Sequence, residues 1–143
     1  FVNASQKDIW DTFAACRLNL VQLHGDESPE FCESLGVPYI RAIRVHPGMV
    51  VEHEMEKYSS ASGFLLDAYV KGQPGGTGKR FDWELIPKSA KTIILAGGLT
   101  PDNVREAVDQ IAPWALDASS GIEFESGRKD PDKMARFVEV CRG

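Results

Sequence analysis

Residues 92–111 read TIILAGGLTPDNVREAVDQI, and the way this stretch divides in two decides the fold. Thr92 to Ala96 is a short β-branched and apolar run, the pattern of a strand buried on both faces. Gly97 and Gly98 interrupt it. Thr100, Pro101 and Asp102 then open a helix, with a capping side chain and a proline near its start. Val104, Ala107, Val108 and Ile111 fall on one face of that helix, so the stretch is one βα unit.

The same unit recurs on both sides. Upstream, FLL (64–66) is a strand that ends in Asp67 and runs into a loop with four glycines, and DWELI (82–86) is a short helical turn after it. YIRAIRV (39–45) alternates as a strand should, with Ile40, Ala42 or Ile43, and Val45 able to pack, and a helix follows over about Met49–Tyr58. LVQL (20–23) is a strand; Ser28 and Pro29 open the next helix, and Gly36 closes it. Phe1 and Val2 form a strand stub. Ser5 caps a helix with Asp8 in the capping-box position, and Ile9, Phe13 and Cys16 share its face. Downstream, WALD (114–117) is the last strand. Asp130 and Pro131 open a final helix whose apolar face is Met134, Phe137 and Cys141.

Alternating β and α elements with apolar strands mean a parallel sheet covered by helices, in a single α/β domain over residues 1–143. An open doubly wound sheet and a (β/α)₈ barrel both fit this pattern. Hydrophobic residues make up 43% and charged residues 26% of the 143, the mixture of a globular protein, and the net charge is −5. Acidic and basic residues are interleaved, with no basic stripe, which argues against nucleic acid as a partner. Apolar runs such as IILA are far too short to span a membrane. No signal peptide is visible. FVNAS, at the start, reads as the tail of a strand already in progress. Cys16, Cys32 and Cys141 lack metal-type spacing and read as small, buried or half-buried thiols in helices of a reducing compartment.

In either architecture, reactive groups stand at the carboxyl ends of the strands. There the successive strands deliver His24, Gly25 and Asp26; then Arg44 and His46; then Asp67; then Gly97 and Gly98; and finally Asp117, Ser119, Ser120 and Gly121. Each has a plain structural reading. A strand-end histidine can bond a carbonyl, an aspartate can form a turn, and Arg44 and His46 alternate toward solvent. Together, the Gly97–Gly98 pair and the SSG of residues 119–121 offer two neighbouring loops of bare backbone N–H groups, which suit a phosphate. Barrel enzymes often bind phosphate with the loops after their last two strands. The expected ligand is a small phosphorylated metabolite.

Four ordered motifs, VQLHGDE, LLDAYVKGQPGGTGKRFDW, LAGGLTPDNV and LDASSGIEFESGRKD, resemble the phosphoribosylanthranilate isomerase family of tryptophan biosynthesis. The resemblance implies a (β/α)₈ (TIM) barrel, of which this chain holds the last six βα units of eight. It also implies an Amadori rearrangement of N-(5′-phosphoribosyl)anthranilate to 1-(2-carboxyphenylamino)-1-deoxyribulose 5-phosphate, in the cytoplasm, with no metal or organic cofactor. On the same resemblance Asp67 is the general acid for ring opening and His24 lies in the active site. Asp117 stands near the anthranilate amine. Gly97, Gly98, Ser119, Ser120 and Gly121 form the phosphate loops, and Gly76, Thr77 and Gly78 lie in a mobile cover. A strand end lined by apolar side chains and closed from water favours a protonated carboxyl, which ring opening requires.

The family's general-base cysteine lies in a KICG-type motif, and no such motif occurs in these residues. The expectations that follow are a chain inactive by itself and sheet edges covered by self-association or by a separate N-terminal piece. The alternatives are another phosphate-binding barrel enzyme or an inactive fragment. A synthase using a strand-end lysine is disfavoured because no strand ends in one.

Overall fold

Five parallel strands lie side by side in chain order: β1 (Val21–Leu23), β2 (Tyr39–Arg44), β3 (Gly63–Asp67), β4 (Ile93–Ala96) and β5 (Ala115–Leu116). The computed structural model describes residues 1–67, 83–87 and 91–143. The expected cover positions Gly76, Thr77 and Gly78 lie outside the described residues. A doubly wound sheet reverses its strand order at a switch point. Here each crossover steps to the next position in the same direction, as in a barrel.

Burial agrees with that order. One large core joins helix residues Ile9, Cys32, Met55, Val104, Ala107 and Phe137 to the strand residues Leu23, Ile43, Phe64, Leu66 and Leu95. The opposite face of the sheet carries a second, small cluster of strand residues only: Ala42, Leu65 and Ala96, with Ile40 and Ile94 against them. Helices cover one face, and the alternate residues of each strand line an inner one. Phe64 and Leu66 are 0% exposed and Leu65 is 2%, so β3 is buried on both faces. Burying side chains of this size stabilises by about 1.5–3 kcal/mol each.

Among the described residues the helices are α1 (Gln6–Ala15), α2 (Pro29–Ser34), α3 (Val51–Lys57), α4 (Val104–Ile111) and α5 (Pro131–Arg142), with a 3-10 turn at Trp83–Leu85. Three caps stand where the sequence puts them. The Ser5 hydroxyl accepts from the Asp8 amide, Ser28 from Phe31, and Asp130 from both Asp132 and Lys133. Each satisfies N–H groups that the first helical turn leaves without partners.

Several expectations need correction. The stub at Phe1–Val2 is a single rung: the Phe1 amine donates to Gln22 O (2.7 Å) and its carbonyl accepts from His24 N (2.9 Å). Asn3 then turns away at φ 52°, which ends the ladder. Helix α4 begins at Val104 and not at Thr100. Residues 100–103 form a turn in which the Asn103 side chain accepts from the Thr100 amide. Cys16 is exposed at the end of α1, and Met134 is 43% exposed, so Phe137 alone of the expected α5 face is buried. A hairpin, β6 (Glu123–Glu125) with β7 (Arg128–Lys129), follows a 3-10 turn at Ser120–Ile122, where a plain loop reads from the sequence.

Candidate active site

At the carboxyl ends of β1, β3, β4 and β5 the chain encloses a cleft of about 250 Å³. Its lining is His24, Leu65, Asp67, residues 96–99, Asp117, Ser119, Ser120 and Gly121. Every strand-end group singled out from the sequence for the site and present among the described residues is therefore in one place. The register explains how. Asp67 pairs with Ala96 and lies two residues beyond Leu65 on the inner face, so its carboxyl projects over the floor made by Leu65 and Ala96. His24 reaches the same space from β1, with Nε2 3.6 Å from Asp67 Oδ2 and about a quarter of each side chain exposed.

The other wall is backbone. Gly98 has φ +63°, a region other residues enter only with strain, and Gly121 lies so close to the β4 loop that a Cβ there would stand 1.8 Å from Leu99 O. The two loops thus touch main chain to main chain. Among the described residues, no hydrogen bond takes the amides of Gly98, Leu99, Ser120 or Gly121. Two polar side chains brace these loops. Asn103 Nδ2 donates to Gly98 O (3.0 Å), while Lys129 Nζ on β7 donates to Ser119 O (3.0 Å) and contacts Glu123 at 2.7 Å. The hairpin that the sequence hid is thus the support of the Ser119–Gly121 loop. Its only signal is the Ser126–Gly127 pair, flanked by charges without apolar alternation.

Sequence reasoning also missed Glu27 and Arg41, which are 6% and 7% exposed. Arg41 Nη1 donates to Glu27 Oε2 at 2.6 Å and to Leu23 O, and its Nη2 donates to Gly25 O at 3.0 Å. The Glu27 carboxylate also accepts from the amides of Asn3 (2.8 Å) and Gly25 (2.9 Å). Burial alone would raise this carboxyl's pKa. The hydrogen bonds from Asn3, from its own amide and from Arg41 outweigh burial and hold it below the usual value. Arg44, expected to face solvent, is exposed, and its Nη2 bonds His24 O at 3.1 Å.

No cysteine lines the cleft. Cys32 and Cys141 lie in α2 and α5, where burial raises both thiols, so neither is suited to act as a base. Among the described residues no cluster of His, Cys, Asp and Glu is placed to hold a metal ion, and no helix is long and apolar enough to cross a membrane.

The family described as N-(5′-phosphoribosyl)anthranilate (PRA) isomerase matches residues 1–140. This chain belongs to the phosphoribosylanthranilate isomerase family. It is 50% identical to N-(5′-phosphoribosyl)anthranilate isomerase of Pseudomonas fluorescens, over 99% of this chain and 68% of that one. Among solved structures, the phosphoribosylanthranilate isomerase of Thermotoga maritima superposes with a TM-score of 0.82 at 38% identity, over 100% of this chain and 71% of its own. A phosphoribosylanthranilate isomerase in complex with reduced 1-(o-carboxyphenylamino)-1-deoxyribulose 5-phosphate gives 0.75 at 33% identity, over 100% and 69%. The fold is accordingly the α/β barrel of these isomerases, represented by five strands and the Phe1 rung. The activity is that of the family, the isomerisation of N-(5′-phosphoribosyl)anthranilate in tryptophan biosynthesis, on a small phosphorylated substrate.

Proposed function

We propose that Asp67 is the general acid of the isomerisation and that the loops facing it hold the substrate's phosphate. The observation that carries this reading is the division of the cleft, with one carboxyl beside an imidazole on one wall and unpaired backbone amides on the other. A phosphate seated at Gly97, Gly98, Ser119, Ser120 and Gly121 is met by N–H dipoles and the small side chains of two serines. The ribose then extends along the cleft toward Asp67. Proton transfer from Asp67 to the ring oxygen lets the C1–O bond break and leaves an iminium at C1. Asp117, at the end of β5, stands where it can accept from the anthranilate amine. His24 orients or polarises the sugar beside Asp67.

Loss of the C2 proton and its return at C1 complete the rearrangement. That step needs a base, and none of the three cysteines is in the cleft. On this reading these residues supply the acid, the amine contact and the phosphate cradle. Gly76, Thr77 and Gly78 remain assigned to the cover by resemblance. Action in the cytoplasm, without metal or organic cofactor, belongs to the same reading. So does coverage of the open sheet edges at Phe1 and β5 by a second copy or an N-terminal piece.

The test is anion binding. Inorganic phosphate should inhibit competitively and, in a crystal, lie against the amides of Gly98, Ser120 and Gly121. Phosphate found only at the amino ends of the strands overturns the placement.

A further inference from the structure

The amides and carbonyls flanking the His24 side chain are held with unusual completeness. The His24 amide donates to Phe1 O, and its carbonyl accepts from Arg44. The Gly25 amide donates to Glu27 Oε2, and its carbonyl accepts from Arg41. Both groups of Gly25 therefore depend on one buried ion pair. The turn also has no room to drift: a Cβ on Gly25 would stand 2.3 Å from Asn3 Oδ1 and 2.6 Å from Asn3 N. Glu27 holds that neighbour as well, through the Asn3 amide. Tyr58 closes the network from α3, its hydroxyl donating to Glu27 O (3.0 Å) and its ring 4.7 Å from the Arg41 guanidinium carbon.

A buried ion pair is a poor way to add stability, because desolvation offsets most of the attraction and apolar residues of the same volume often serve as well. What the charges provide is geometry. Their hydrogen bonds converge on the turn that carries His24, on the helix-covered side of the sheet and behind the cleft. We infer that Glu27 is a positioning residue for the isomerisation: its carboxylate, paired with Arg41, fixes the His24–Gly25 turn and so sets the imidazole beside Asp67. The inference rests on the active-site reading of His24.

A double-mutant cycle in the active enzyme tests it, using Glu27→Gln, His24→Ala and both together, with folding verified by circular dichroism at the assay temperature. Misplacing a reacting group by an ångström can cost about a hundredfold, so Glu27→Gln should lower kcat by about tenfold to a hundredfold and leave KM within about threefold. In the His24→Ala background the same change should lower kcat by less than about twofold, because the residue acts through His24. Arg41→Lys keeps the charge beside Glu27 but loses the guanidinium's paired bonds to Gly25 O and Leu23 O, so it should lower kcat by a comparable factor. If Glu27→Gln does not fold, the pair Glu27→Gln/Arg41→Gln, which leaves no buried charge unpaired, enters the cycle instead. Additive losses in the cycle, or a variant with a lower Tm but unchanged kcat and KM, overturn the positioning role alone. An unchanged kcat in His24→Ala overturns the reading of His24 and the inference with it.

Discussion

The two walls of the cleft are built on opposite principles. At the β1–β2 end a buried carboxylate and guanidinium, ringed by hydrogen bonds, hold a turn that presents side chains, His24 with Asp67 next to it. At the β4–β5 end almost no charge is buried. Two glycine-bearing loops press main chain against main chain and present amides. On the proposed reading, the difference follows from what each wall has to hold. An imidazole that orients the sugar beside Asp67 must be aimed within a fraction of an ångström, which favours a rigid charged brace. A phosphate needs several donors at close range, which favours the absence of side chains.

The largest effect that separates the walls should come from Asp67→Asn. The amide keeps the shape and the hydrogen bonds but delivers no proton, so kcat should fall by about 10² to 10⁴ while KM moves little. Steady-state kinetics decide it, and a variant with more than about a tenth of the normal rate moves the acid elsewhere.

Next comes the charged brace itself. Glu27→Gln leaves Arg41 buried without a counter-charge, and breaking such a pair costs about 3–5 kcal/mol, measurable by urea denaturation. Its pH dependence has a definite sign. The Glu27 carboxyl titrates below its unfolded value, so its contribution is complete above that value and is lost as pH falls through the lower folded one. Glu27→Gln should therefore flatten the acid limb of the stability curve. An unchanged limb assigns the acid sensitivity to other carboxyls.

The backbone wall should respond in binding. Gly121→Ala puts a methyl group into Leu99 O, which forces the two loops apart. The expected result is a rise of about tenfold in KM and in the inhibition constant for inorganic phosphate, about 1.4 kcal/mol, with kcat within a few-fold. A drop in kcat alone would place the phosphate elsewhere. The smallest effect on binding belongs to Asn103→Ala, which removes the clamp on Gly98 O and the acceptor of the Thr100 amide. Each such hydrogen bond contributes about 0.5–1.5 kcal/mol, so a Tm loss of several degrees should accompany a modest rise in KM.

The legible and illegible parts of the chain divide along a physical line. Ser5, Ser28 and Asp130 announce their helices because a cap acts on amides two or three residues away. The apolar runs of β3 and β4 announce buried strands because burial on both faces erases alternation. The Glu123–Lys129 hairpin gave no comparable signal, since its strands are mostly charged and the apolar residue of β6, Phe124, stays exposed. The extra turn before α4 was also hidden, because Thr100, Pro101 and Asp102 are good opening residues whether the helix begins at once or one turn later.

From the residues alone came the βα alternation, the strand ends and the polar group that each end carries, and with them every described lining position proposed for the site. These are local properties, set by periodicity and by neighbours a few residues apart. Only the tertiary structure decided the strand order, which separates a barrel from a doubly wound sheet, and the burial of Arg41 against Glu27. Arg41 sits in a strand beside alternating apolar residues, and nothing within its own segment marks it as buried. Its partner is 14 residues away in sequence and reaches it only when β2 lies next to β1. A charge enters a core when its counter-charge and the carbonyls it needs are brought there by strand pairing, and that condition is not written in any one stretch of the chain.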